Sequence, residues 1–400
     1  MPQTLEGSWT GKLNAGAATL TVVIHIGQDA DGNTICTMDS PDQGAKGIPA
    51  VVNYVSADSI QLNIPSLIVT FHGKMTGNEL RGNFMQMGRL LPLTLTRGVE
   101  VVRRPQSPAP PYPYKTEEVT FTNETDHTTL AGTLTYPEGF ERRKKHSVPV
   151  VLMITGSGLQ NRDEEVFEHK PFLVIADFLA RNGIASLRYD DRGFGASTAG
   201  DSTGREATTL DYKRDAEAGL SYLRSLKRFG KVGALGHSEG GCIVFMLGAS
   251  KAADFVVSMA GVGVKGDSAL TAQVNHIMQL QGQPTQLSVS QYRRNAQSAN
   301  SPWIDWFLDY DPTPDIAATA CPVMAINGDK DCQVLASLNL SAIKRALPQN
   351  PHTLIKAYPA LNHLFQHCQT GLPTEYRNIE ETLSPEVLKD MAEWINKIAR

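Results

Sequence analysis

The chain has 400 residues, 41% hydrophobic and 20% charged, the composition of a globular protein with length for two or three domains. A formal net charge of −4 leaves no basic surplus for wrapping nucleic acid, and no run approaches the roughly 20 apolar residues of a membrane-spanning helix, so neither nucleic acid nor membrane is expected as a partner. Its five cysteines (Cys36, Cys242, Cys321, Cys332, Cys368) are too few and too irregularly spaced for a disulfide scaffold or a CxxC zinc site, and no metal is expected.

Residues 1–4 run almost at once into GSWTGKL, with neither the charged nor the apolar region of an export signal. The expectation is a cytoplasmic protein, or one whose signal has been removed. Residues 5–100 alternate as half-buried strands do: TLTVVIHI, SIQLNI and PLTLTR, separated by turn sequences such as DADGN and MTGNELRG. A small antiparallel barrel or sandwich is predicted for residues 1–102. Between Arg103 and Tyr114 five prolines fall within nine residues, the mark of an extended, semi-rigid linker, drawn here as 103–116.

After a further hairpin at HTTLAGTLTYP, and a basic run at Arg142 to Lys145 read as a solvated loop, the pattern changes. Short apolar strands (VPVVLMIT, IASLRYD, KVGALG, ADFVVSMAG, CPVMAING, HTLIKAYP) alternate with helical segments, which predicts a mostly parallel sheet covered on both faces.

The segment KVGALGHSEGGC places Ser238 between a strand that ends at Gly236 and a helix that begins just beyond it. A serine in a sharp strand-to-helix turn between small residues is a nucleophile elbow, whereas a glycine-rich packing turn would share only the composition. A serine hydroxyl needs a base and an orienting carboxylate, in the chain order Ser, acid, His for this architecture. The loop after CPVMAING offers Asp329 and Asp331; the loop after HTLIKAYP offers His363 and His367. The i, i+4 spacing of those histidines fits a zinc peptidase helix only if a glutamate follows the first, and position 364 is Leu. The oxyanion of an acyl transfer needs two backbone N–H donors: that of Glu239, after the serine, and one from ITGSGLQNRDEE, where Ser157 and Gly158 stay open. His237, in the variable elbow position, is given a packing or pocket role.

Four motifs in order, GSGxQxRDE at 156–164, YDDRGxGxS at 189–197, GHSEGG at 236–241 and NHLFQ at 362–366, make residues 117–400 resemble the α/β-hydrolase serine esterases of bacteria. GSWTGKL and the strand pattern before them resemble the lipocalin-like extension that some of these proteins carry. The resemblance implies an α/β-hydrolase fold with a short helical cap, at about 262–312, behind a small all-β domain. It also implies hydrolysis of short-acyl carboxylic esters, a small-molecule ester substrate and no cofactor. Its G-x-x-D turn points to Asp331 over Asp329, and its histidine loop to His363 over His367. Trp303, Trp306 and Phe307 in SPWIDWFLDYDP would wall the acyl pocket or simply pack the cap, and Arg192 would pair with Glu239 to brace the elbow.

Cys332 and Cys368, in the two loops that a triad must bring together, are a candidate disulfide, and such a bond would favour a periplasmic or secreted address. Two other functions use the same features. An amide-cleaving peptidase would need a carboxylate such as Asp163, Glu164 or Glu165 to hold a peptide terminus. A binding protein would treat the hydrolase as a degenerate scaffold. Oligomeric state is open, a homodimer included.

Overall fold

A computed structural model describes residues 4–14, 19–98, 102–200, 206–283, 286–298 and 300–400. Residues 1–3, on which the reading of the N-terminus rests, lie outside it. The chain divides into two compact units, Met1–Arg103 and Arg104–Arg400.

The first unit is a closed antiparallel barrel of β1 (Gly7–Asn14), β2 (Thr19–Gln28), β3 (Thr34–Ser40), β4 (Ala45–Val55), β5 (Ser59–Ile64), β6 (Val69–Thr76), β7 (Glu79–Gln86) and β8 (Arg89–Arg97). Consecutive strands pair, and β1 closes on β8 through Trp9↔Arg97 and Gly11↔Leu95. The period-2 pattern sends one face of each strand inward: Trp9, Ile24, Ile60, Leu62, Phe71 and Leu95 are fully buried. The barrel is lipocalin-like in kind, and its interior is a packed apolar core.

The second unit holds an eight-stranded sheet. Its strands are β9 (Thr116–Asn123), β10 (Thr128–Thr135), β11 (Val150–Ile154), β12 (Ala185–Tyr189), β13 (Val232–His237), β14 (Val256–Met259), β15 (Val323–Gly328) and β16 (Leu354–Tyr358), in the order β16-β15-β14-β13-β11-β12-β10-β9. β11 to β16 run parallel, and β9 and β10 form an antiparallel hairpin at one edge. The parallel strands at the centre of the sheet are buried on both faces, which is why VVLMI reads as a continuous apolar run. Helices α1 (Pro171–Arg181), α2 (Thr209–Ser225), α3 (Glu239–Ala249), α7 (Thr313–Ala318), α8 (Ala336–Ala346) and α10 (Pro385–Ala399) belong to the sheet layers, with a short α9 (Pro373–Tyr376). Between β14 and β15 the chain forms α4 (Gly266–Leu280), α5 (Val289–Gln297) and α6 (Pro302–Asp309), in the stretch expected as a cap.

The proline-rich segment is not a free tether. From Arg104 on it belongs to the second unit: the Arg104 guanidinium donates to the carbonyls of Phe167, Arg377 and Ile379, the Gln106 amide spans Thr382 and Leu383, and Tyr114 Oη donates to Asp177 at 2.8 Å. Proline fixes an extended chain, and these polar contacts lay it along the sheet unit.

Candidate active site

The turn from β13 into α3 is tight enough to dictate its own sequence. A Cβ on Gly236 would stand 2.0 Å from the carbonyl oxygen of Gly240, and one on Gly240 would stand 2.2 Å from that of Ile154, so only glycine lets strand and helix approach this closely. Ser238 between them has φ 55° and ψ −111°, a region that non-glycine residues rarely occupy, and it caps α3. Its N–H is held by the Met259 carbonyl at 2.8 Å, which leaves the side chain to project from the turn. The first N–H groups of α3 have no partner within the helix, and Glu239 is its first residue.

Asp331 and His363 meet. Asp331 Oδ2 accepts from His363 Nδ1 at 2.8 Å, while Oδ1 accepts the N–H groups of Gln333 and Val334, each at 2.8 Å. Both side chains are buried. With Nδ1 engaged, His363 has Nε2 left for proton exchange, and a fixed carboxylate behind an imidazole is the arrangement that makes histidine a general base. Asn362 shapes the loop that presents the ring: its Oδ1 accepts the N–H groups of Leu364 and Gln366, and its amide donates to Gln366 Oε1. Asp329 serves elsewhere, accepting the Ala360 N–H at 2.7 Å, and His367 lies on the surface against Glu381.

Ser238, His363, His237, Ser157 and Glu239 line one cavity of about 510 Å3, together with Gln160, Val262, Leu270, Trp303, Phe307, Val334, Leu364 and Tyr376. A larger, more open hollow beside α8 and β16 touches Asp331 but neither Ser238 nor His363. Trp303 and Phe307 stack at 5.0 Å in the wall of the site cavity; Trp306 is not among its lining residues and stacks on Tyr310 instead.

Residues 170–312, which contain the elbow and the cap but stop short of Asp331, match the Hydrolase_4 family model, described as serine aminopeptidase, S33. With that match, the sheet order and the elbow decide the fold. The second unit has the α/β-hydrolase fold. A curated relative, the esterase EstD of Thermotoga maritima, is 24% identical over 284 residues, covering 67% of this chain and 66% of its own length. The match thus spans slightly less than two thirds of that relative. Among solved structures, Est1E from Butyrivibrio proteoclasticus with ferulic acid bound is 16% identical with a TM-score of 0.48, covering 69% of this chain and 99% of its own. The Pyrococcus furiosus esterase Pf2001 is also 16% identical at a TM-score of 0.48, covering 75% and 99%.

Within the hydrolase unit, His237 does more than pack. Its Nε2 lies 2.9 Å from the His363 carbonyl oxygen, which can only accept, so Nε2 carries a proton. Its Nδ1 lies 3.0 Å from Glu164 Oε1, which also accepts the Gly156 N–H at 2.8 Å. Burial opposes a charge on His237, but the Glu164 carboxylate and the His363 carbonyl outweigh it and raise the imidazole above its usual value. His237 therefore ties the loop of residues 156–164 to the loop of residues 362–366. Glu164 was visible in the sequence only as a possible terminus holder, and nothing in its spacing from His237 announced the pair.

Two further side chains are buried near the site: His169, which the motif reading did not single out, and Glu239, which it gave only a backbone donor and a pairing with Arg192. His169 sits between Thr382 Oγ1 at 2.9 Å and the Tyr376 carbonyl at 3.0 Å, with the Gln366 amide nitrogen 2.9 Å from its Nε2; burial pushes it down to about 4, against the Tyr376 hydrogen bond. Glu239 keeps its carboxylate in the interior, accepting from Thr209 Oγ1 at 2.6 Å and Trp303 Nε1 at 2.8 Å, and burial raises its pKa.

Two expectations fail. Arg192 does not reach Glu239: it forms a bidentate pair with Asp215, both bonds 2.7 Å, and also engages Asp126. Glu239 takes neutral donors instead, and the DRG loop braces the loop after β11 through its acids, Asp191 accepting from Thr155 and Gln160 and Asp190 from Arg162. Cys332 and Cys368 are both free thiols, turned onto the carbonyls of Gly371 and Ala360, and burial raises them to about 12 and about 11.

Proposed function

We propose that the protein is a serine carboxylesterase acting on short-acyl esters. The observation that carries this reading is the Asp331–His363 hydrogen bond behind an imidazole that lines the same cavity as Ser238, and the esterase name of the Thermotoga relative supports it.

Ser238 Oγ attacks the ester carbonyl carbon while His363 Nε2 takes its proton, and Asp331 stabilises the imidazolium that forms. The carbonyl oxygen, now an oxyanion, is received by the N–H groups of Glu239 and Ser157; Gly158 is not among the cavity-lining residues, which favours Ser157 as the second donor. Collapse of the intermediate breaks the bond to the alcohol oxygen, which leaves with the proton from His363. Water then enters, gives its proton to the same nitrogen and attacks the acyl-serine, and the acid departs as Ser238 recovers its hydrogen.

The acids that a peptidase would use to hold a substrate terminus are engaged: Asp163 with Arg188 and Lys170, Glu164 with His237, and Glu165 with Lys170 at 3.5 Å. Ester cleavage is therefore preferred to amide cleavage, despite the aminopeptidase description of the family model.

The test compares p-nitrophenyl acetate, butyrate and octanoate with alanine p-nitroanilide. Turnover of the short esters with little on the anilide is expected; a higher kcat/KM on the anilide would reverse the assignment.

A further inference from the structure

The loop that follows β11 is fastened at several points. Asp191 accepts the Thr155 hydroxyl at 2.7 Å and the Gln160 N–H at 2.8 Å, and between them Glu164 Oε1 accepts the Gly156 N–H at 2.8 Å. Gly156 packs directly against Ser238: a Cβ there would stand 3.3 Å from Ser238 Cβ and 3.5 Å from the His237 carbonyl oxygen. The peptide that joins Gly156 to Ser157 carries the N–H proposed as the second oxyanion donor. Fixing Gly156 therefore fixes that donor.

The same oxygen of Glu164 reaches toward the other parts of the site. It lies 3.0 Å from His237 Nδ1, His237 precedes Ser238 in the elbow, and His237 Nε2 donates to the His363 carbonyl at 2.9 Å. One carboxyl group thus stands a single hydrogen bond from the donor loop, one from the residue beside Ser238, and two from His363.

Glu164 is itself held from behind. Its N–H donates to the Asn161 carbonyl at 2.9 Å, and Asn161 Oδ1 accepts the N–H groups of Asp163 and Glu165. Just beyond, Val166 and His169 exchange both main-chain hydrogen bonds. Within this knot Glu164 sits at φ 52°, in the left-handed region where a side chain is strained, and is 2% exposed. A buried acid kept at a strained position by its surroundings, with its carboxyl bonded to two parts of one site, is a preorganised support.

We infer that Glu164 is a positioning residue: through Gly156 and His237 it sets the Ser157 N–H against Ser238 and His363. The inference rests on the esterase reading and names what aligns its parts. Donors aimed at the oxyanion act on the transition state more than on the bound ester, so misalignment falls on kcat.

The test is steady-state hydrolysis of p-nitrophenyl butyrate by the full chain, as wild type, Ser238→Ala, Glu164→Ala and Glu164→Asp, with inhibition by butyl trifluoromethyl ketone and a thermal melt of each. Ser238 Oγ bonds to the ketone carbon, its proton passes to His363 and the carbonyl pair moves to oxygen, so the adduct reads donor placement without a leaving group. Glu164→Ala is expected to lower kcat by about 10²- to 10³-fold, as removal of an oxyanion donor does, with KM little changed and the ketone weakened by a similar factor. Glu164→Asp keeps the carboxyl and withdraws it by one methylene; it should lose on the order of ten- to a hundredfold in both kcat and ketone affinity. A folded Glu164→Ala with the wild-type kcat would overturn the inference, and so would a fall in kcat that leaves ketone affinity intact, as loss of folded enzyme alone would give. If Glu164→Ala does not fold, Glu164→Asp decides: parallel losses support the inference and wild-type values overturn it. Wild type without turnover, or turnover that survives in Ser238→Ala, would overturn the esterase reading and this inference with it, whereas the Glu164 results on an active, Ser238-dependent wild type bear on the inference alone.

Discussion

At the scale of single residues, Ser238 combines chemistry with strain. At φ 55° its backbone sits where a side chain costs on the order of 1–3 kcal/mol, and glycine would remove most of that cost. Ser238→Gly should therefore raise the melting temperature while abolishing turnover, as calorimetry beside an ester assay would report. The two loop aspartates should separate equally clearly. Asp331→Asn, which leaves His363 without its charged partner, should lower kcat by about 10⁴-fold, whereas Asp329→Asn, which touches only the Ala360 N–H, should cost far less.

The buried histidines predict opposite limbs of a stability–pH curve. His169 is held at about 4 in the fold and titrates near 6.5 in the unfolded chain, so its contribution is complete above 6.5 and is lost as pH falls from 6.5 toward 4. His237 is raised, so its contribution is complete below 6.5 and is lost as pH climbs through its folded value. Thermal midpoints measured across pH should show both limbs, with His169→Gln flattening the acid one and His237→Gln the alkaline one. The candidate nucleophile, acids and bases were legible in the sequence because they follow strand ends in a fixed order. The His237–Glu164 pair was not, since it joins residues 73 positions apart through a contact that no spacing encodes.

At the scale of elements, the elbow and the cap set the site. Gly236→Ala would drive a Cβ into the Gly240 carbonyl, and overpacking of this kind costs about 1–3 kcal/mol or more, readable as a lower denaturant midpoint. The cap meets the elbow through Trp303, whose indole N–H donates to Glu239 while its ring stacks on Phe307. Trp303→Phe keeps an aromatic ring and deletes that donor, so KM for butyrate esters should rise more than kcat falls; the reverse split would place Trp303 in the reacting geometry. Strand and helix alternation was readable because the parallel strands are short, mainly apolar runs. Which cap aromatics face the cavity was not, because Trp303, Trp306 and Phe307 lie within two turns of one helix and only its packing chooses among them.

At the scale of the whole molecule, the boundary between the units falls at Arg103, yet the composition of the next ten residues reads as linker. Proline content reports an extended backbone and says nothing of whether that backbone is docked. A chain of residues 104–400 keeps the Arg104, Gln106 and Tyr114 contacts, and one of residues 116–400 loses them all. The shorter chain should therefore melt lower than the longer one, and equal midpoints would show that the segment contributes nothing to the fold.

The most direct test of the central claim is hydrolysis of p-nitrophenyl butyrate by the wild type and by Ser238→Ala, with circular dichroism confirming that both are folded. The account predicts a loss on the order of 10³-fold or more in the variant. Equal rates in the two proteins would contradict it, and would reduce the Gly236–Gly240 turn to a packing device.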